Sequence, residues 1–183
     1  MLGISERQLR KWEQLGLVEP ADVYHFHGLI ALQTLVRLRD GSGQLHTAAE
    51  IVPLAERAGL VHEIDRRVMT RAIAILGEQQ RSGKEARLFV PQAARSLGQD
   101  GYAQWLLESL KDLGIEGSQL VVDVRLADAL VHSVLLREFC QRMMAAGVRL
   151  CLGQYQTNPE ADALLTQLPL SYVRLSPHYA GKI

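Results

Sequence analysis

Asp123 and Arg125, Gly153 with Gln154 and Tyr155, Pro91 with Gln92, and Ser176 with His178 are the residues from which a reaction would have to be built. Each group sits where an apolar run gives way to a loop, the usual place for reactive side chains in parallel βα architectures. Splitting a phosphodiester with two metal ions needs several carboxylates converging on cations about 3.5–4 Å apart. These positions offer one, Asp123. His178 acting as acid or base with Asp123 is the remaining catalytic option, and its plain alternative is a solvated loop histidine. The chain has no Gly-rich phosphate loop, no Cys-x-x-Cys pair and no Gly-x-Ser-x-Gly elbow. No catalytic residue, metal or cofactor is expected on these grounds.

Other reactive side chains lead to the same expectation. His25 and His27 would share one face of a strand, but no third ligand stands nearby, so a solvated hairpin is expected rather than a metal. Cys140 and Cys151 are expected to be buried free thiols in a reducing cytoplasm. Arg7, Arg10 and Lys11 crowd the first helical segment, a pattern that suits phosphate or groove contacts and also an ordinary charged helix face.

Elements must hold these groups in place. Ser5 and Gln8 make a capping box for a first helix with Leu9, Trp12 and Leu15 at helical spacing, closed by Gly16. Alternation through 23–27 predicts a short strand or hairpin, and Leu29, Leu32, Leu35 and Val36 predict a helix over 29–39. Thr47 and Glu50 cap the next helix, to about residue 57. A longer amphipathic helix follows over 62–76, with Ile64, Val68, Ala72 and Leu76 on its apolar face. From there the pattern alternates: strands at 86–92, 118–126, 148–153 and 171–176, with helices at 101–114, 133–147 and 159–168 between them. This predicts an α/β fold of parallel βα units, open or curled toward a barrel. Four strands are too few for a closed eight-stranded barrel of about 250 residues, so a partial or modified TIM-barrel-like body is expected.

At 183 residues the chain accommodates a small head and one body, with residues 41–43 as the boundary: a head over 1–42 and a body over 43–183. A formal net charge of zero confines any DNA contact to a local patch. No apolar run approaches the roughly 20 residues of a membrane span, so no membrane partner and a cytoplasmic location are expected.

Residues 2–40 resemble a MerR-type winged helix-turn-helix, with Leu9-Arg10, Trp12-Glu13 and Gly16-Leu17 matching that family's Leu-Arg, aromatic-Glu and Gly-Leu elements. The family's first helix and its acidic cap on the wing helix have no counterpart here. The resemblance implies a helix-turn-helix-like segment contacting DNA through Arg7, Arg10, Lys11 and Trp12, with Tyr24 and His27 on a wing against the phosphates.

From about Val36 to the end the chain resembles EAL domains. The stretch 37–69 follows the family's pattern of an Arg-rich strand, a loop and a Pro-Leu-Ala-Glu-type helix. That resemblance implies a modified TIM barrel and magnesium- or manganese-dependent hydrolysis of cyclic di-GMP. The family's functional residues are replaced here: Glu-Ala-Leu by Gln33, Thr34 and Leu35, the next strand's Asn by Gln92, the paired aspartates by Gly153 and Gln154, and the lysine by Arg174. Only Asp123 keeps a carboxylate. A degenerate, truncated EAL-like body without catalysis is therefore expected. Arg37, Gln92, Asp123, Tyr155 and Arg174 are its candidate ligand contacts: Arg37 for a phosphate and Tyr155 stacked on a guanine.

The two resemblances overlap on 29–39, where one requires a helix and the other a buried strand; the leucine spacing favours the helix. The leading expectation is a regulator that touches DNA through its head and uses the body for dimerisation, ligand sensing or partner binding, as a homodimer. The alternatives are a cyclic di-GMP receptor or protein-interaction module without DNA binding and, last, residual phosphodiesterase activity.

Overall fold

A computed structural model describes residues 37–39 and 45–179. The DNA-contact candidates Arg7, Arg10, Lys11, Trp12, Tyr24 and His27 lie outside the described residues, as do residues 29–36 of the expected helix.

The described part opens with a hairpin. β1 (Arg37–Arg39) pairs antiparallel with β2 (Leu45–Thr47), with Arg37 opposite Thr47 and Arg39 opposite Leu45. Residues 37–39 are thus strand and not helix, a correction to the expectation drawn from leucine spacing. The ladder to β2 supplies backbone partners that local periodicity cannot anticipate. The hairpin joins residues on either side of the boundary expected near residue 42.

Thr47 ends β2 and caps α1 (Ala48–Ala58), its backbone N–H donating to Glu50 Oε2 at 2.7 Å. α2 (Val61–Arg81) follows. Its buried stripe includes Asp65, Met69, Ala72, Ile73 and Leu76; Ala72 and Leu76 are buried as expected, whereas Ile64 and Val68 are half-buried and their neighbours Asp65 and Met69 are buried instead.

Four parallel strands in sequence order form the body: β3 (Leu88–Pro91), β4 (Leu120–Arg125), β5 (Arg149–Tyr155) and β6 (Tyr172–Leu175). Between them run α3 (Ala94–Leu97) and α4 (Tyr102–Asp112), then α5 (Leu126–Val131) and α6 (Ser133–Met144), then α7 (Pro159–Gln167). The expected α/β class and parallel pairing are present. The two short helices were absent from the expected set because four to six residues span too little of the helical period to be read.

Alternate strand residues face the helices. Leu88 and Val90, Leu120, Val122 and Val124, and Leu150 and Leu152 pack with Met69, Leu76, Leu106, Leu136 and Phe139 into one core. The other face carries Arg87 and Phe89, Val121 and Asp123, Arg149, Cys151 and Gly153, then Tyr172 and Arg174. Phe89 on the first strand of this sheet and Tyr172 on the last meet ring to ring, with centroids 5.1 Å apart. Three inter-strand spacings of about 4.8 Å would separate those strands by about 14 Å in a flat sheet. The sheet is therefore curled into the arc of a barrel, and this second face is its concave inside.

Candidate functional site

On the concave face one ion pair stands at the C-terminal ends of the strands. Arg174 leaves β6, crosses β5 and donates through Nη2 to Oδ2 of Asp123 on β4 at 2.6 Å. Asp123 is buried, its side chain 7% exposed, whereas Arg174 is 38% exposed, so the guanidinium keeps one side toward solvent. The second carboxylate oxygen, Oδ1, is buried without a hydrogen-bond partner.

Gly153 lies between them. A Cβ at this position would stand 2.5 Å from Asp123 Oδ1 and 2.7 Å from Arg174 Nη2. The missing side chain is what lets the guanidinium pass over β5. Next to it, Gln154 holds φ at +56°, and the pairing of β5 with β6 slips between Leu152 and Tyr155. This bulge inserts one residue, and in a strand one residue reverses which face every later side chain takes.

The consequence is a correction. Tyr155, expected to stack on a ligand, is turned to the helix side. Its ring is buried in the core, and its hydroxyl bonds Asp162 at the start of α7. Gln92 is likewise committed to the fold: its amide nitrogen donates to the carbonyls of Asp65 (3.1 Å) and Pro91 (2.9 Å), and its amide oxygen accepts from the Tyr102 hydroxyl at 2.6 Å. All the polar atoms of that amide are occupied. Arg37 begins β1, in the separate hairpin. His178 sits in the 3-10 turn Pro177–Tyr179, its ring edge-on to Tyr179 with centroids 5.5 Å apart. Of the candidate residues, the structure joins Asp123 with Arg174.

Two carboxylates that the sequence reading missed hold the loop after β3. Asp65 Oδ2 accepts the Ala93 N–H at 2.9 Å, and Asp128 Oδ2 accepts the Ala94 N–H. Burial pushes the Asp65 carboxyl above its ordinary 3.8, against the lowering effect of the Ser96 hydroxyl and the Ala93 N–H. The signal available in the sequence was an acid inside an apolar helical stripe. Cys140 and Cys151 are buried free thiols, as expected, and burial drives both up to about 12.

A pair of divalent cations does not fit this donor set. Among the described residues the one carboxylate on the concave face of the strands already binds a guanidinium, and no three His, Cys, Asp or Glu side chains gather to hold a metal ion. No helix among the described residues is long and apolar enough to cross a membrane.

Two substitutions probe this geometry. Arg174→Met leaves Asp123 buried without its partner and should destabilise the fold at neutral pH by about 1–3 kcal/mol in urea unfolding, below a fully enclosed pair because Arg174 is part-solvated. A change near zero would mean that the pair is not formed in solution. Asp65 gives a pH signature. Because its folded value is raised, its contribution to stability is complete below the unfolded value of 3.8 and is lost as pH climbs through the folded value. Asp65→Asn stays neutral throughout, so the melting temperature of the wild type relative to this variant should fall from about pH 3 to about pH 7. A constant difference across that range rules out the buried, raised carboxyl.

Comparison with known proteins gives this geometry a family. The EAL domain model matches residues 26–183. The FimX EAL domain of Xanthomonas citri, solved in complex with cyclic di-GMP, is similar at 26% identity and a TM-score of 0.75, over 80% of this chain and 58% of that one. The FimX EAL domain of Pseudomonas aeruginosa, bound to the same nucleotide, is similar at 25% identity and a TM-score of 0.72, over 80% and 59%. The cyclic di-GMP phosphodiesterase PdeB of Shewanella oneidensis shares 19% identity over 144 residues, which are 79% of this chain and 17% of PdeB. The chain spans about a fifth to a quarter of the length of the first curated relatives it matches. With the family pattern running through most of its length and the curled parallel sheet that pattern specifies, the chain belongs to the EAL domain family.

Proposed function

We propose that this chain is a non-hydrolytic EAL-family module that binds cyclic di-GMP and acts through that binding rather than by splitting it. The observation that carries the reading is the Arg174–Asp123 pair closed over Gly153. Where hydrolysis calls for clustered carboxylates and two exchangeable cations, this rim has a covalently attached cation already bound to its carboxylate. Arg174 retains exposed N–H donors for a phosphate oxygen, and a guanidinium is well suited to that contact. Arg37 is the second proposed phosphate contact. The two FimX domains solved with cyclic di-GMP support the choice of ligand.

Calorimetry with cyclic di-GMP, with and without manganese, tests it, together with chromatography for the linear dinucleotide. Binding is expected without metal, no linear product should accumulate, and Arg174→Gln should weaken binding about tenfold, the worth of one charge-assisted hydrogen bond. Manganese-dependent turnover that Asp123→Ala abolishes would overturn the proposal.

A second reading adds DNA. The Leu-Arg, aromatic-Glu and Gly-Leu pattern at Leu9-Arg10, Trp12-Glu13 and Gly16-Leu17 favours a reading helix over 5–15, and a homodimer in the cytoplasm would present two of them. Fluorescence anisotropy against duplex DNA should then show binding that weakens steeply with salt and is lost in Arg10→Ala. Affinity unchanged in Arg10→Ala removes the head as a reader.

A further inference from the structure

One layer below the Asp123–Arg174 pair, toward the N-terminal ends of the strands, two more arginines face the inside of the arc. Arg87 Nη1 donates to the hydroxyl oxygen of Tyr172 at 2.8 Å, and Arg149 Nη1 donates to the same oxygen at 3.1 Å. Both guanidinium nitrogens are therefore within about 6 Å of each other at most, a distance at which like charges repel unless something neutralises them. No carboxylate pairs with either arginine among the described residues.

Every part of this cluster is held in place. Arg87 is oriented by its Nε–H, which donates to the Ser118 carbonyl at 3.0 Å, and the Tyr172 ring is fixed edge-on by Phe89. The three polar side chains are half-buried, so solvent screening of their charge is reduced. The phenol oxygen accepts two hydrogen bonds, while its own O–H donates to no acceptor among the described residues. Two guanidiniums and one phenol hydroxyl thus converge on one point. The inside of a TIM barrel is ordinarily filled by branched apolar side chains, and here two arginines stand on the corresponding face.

We infer that Arg87, Arg149 and Tyr172 form an anion site for a phosphomonoester dianion, separate from the Asp123–Arg174 rim. The charges select the class. Two fixed positive charges match a group carrying about −1.5 to −2 at neutral pH, with three terminal oxygens for the two guanidiniums and the hydroxyl. A single carboxylate brings half that charge and two oxygens. Each phosphate of a cyclic dinucleotide is a diester with one charge, so it is the poorer ligand here, and the site does not depend on the function proposed above.

The test follows the Arg87 Nε–H signal by NMR in the full chain, titrated separately with inorganic phosphate and with phenyl phosphate, in the absence of cyclic di-GMP. Saturable shifts are expected. Tyr172→Phe, which keeps the ring against Phe89 and removes only the hydroxyl, should weaken binding about fivefold, and Arg149→Ala more than about tenfold. Arg71→Gln, which removes an exposed charge on α2, should leave the affinity as it was. Tighter binding of phenyl phosphate assigns a monoester ligand, and tighter binding of inorganic phosphate assigns the free ion. Absence of saturation with both up to about 10 mM, or affinities in Tyr172→Phe and Arg149→Ala equal to wild type, would overturn the inference.

Discussion

Arg174 reaches Asp123 only because the sheet is curled and because β5 offers no side chain at Gly153 to stop it. That pair spans three strands and joins the last one to the middle of the sheet. It also organises what lies around it. The carboxylate stays buried because a guanidinium meets one of its oxygens, and Cys151, beside it on the neighbouring strand, is a thiol whose deprotonation both burial and the Asp123 charge oppose. Replacing the glycine by any other residue would place an atom in the path of the pair.

The bulge at Gln154 is the second constraint. By adding one residue to β5 it sends Tyr155 into the core, where its hydroxyl meets Asp162, so the start of α7 is tied to the end of the strand that precedes it. A strand kept in strict alternation would have pointed Tyr155 at the concave face, over Gly153. Gln154 rather than an aromatic ring is therefore the exposed neighbour of Gly153.

What the sequence disclosed and what it withheld divide along the range of the forces involved. The four parallel strands and the longer helices were legible, since each buries one face and writes its period into a dozen or fewer residues. The strand at Arg37–Arg39 was not legible in residue spacing: the leucines that precede it keep helical spacing, and a ladder with Leu45–Thr47 holds Arg37–Arg39 extended. The burial of Asp65 on α2 was hidden for a related reason, because it reads as a solvent residue until the Ala93 N–H that it accepts is known. In the site, single-residue chemistry was readable, as with the lone carboxylate Asp123. Pairing was not, because Arg174 and Asp123 are 51 residues apart and meet through curvature that no local pattern encodes. Gln92 and Tyr155 mark the same limit, since a polar side chain near a rim does not disclose whether its hydrogen bonds are already spent inside.

A guanidinium at this rim differs in kind from a metal ion, even though both are positive. A bound divalent cation can lower the pKa of a coordinated water and so make a nucleophile, and it can leave and return; an arginine side chain does neither, because its charge is permanent and it offers N–H donors in place of an open coordination position. Both attract a phosphate. Under the proposed function, exchanging one for the other keeps the attraction and removes the means of attack, so binding and hydrolysis are separated by the nature of a single positive charge. The arginines at Arg87 and Arg149 extend the same electrostatics down the concave face, where no carboxylate among the described residues balances them, and they make the inside of the arc a surface whose natural complement is an anion.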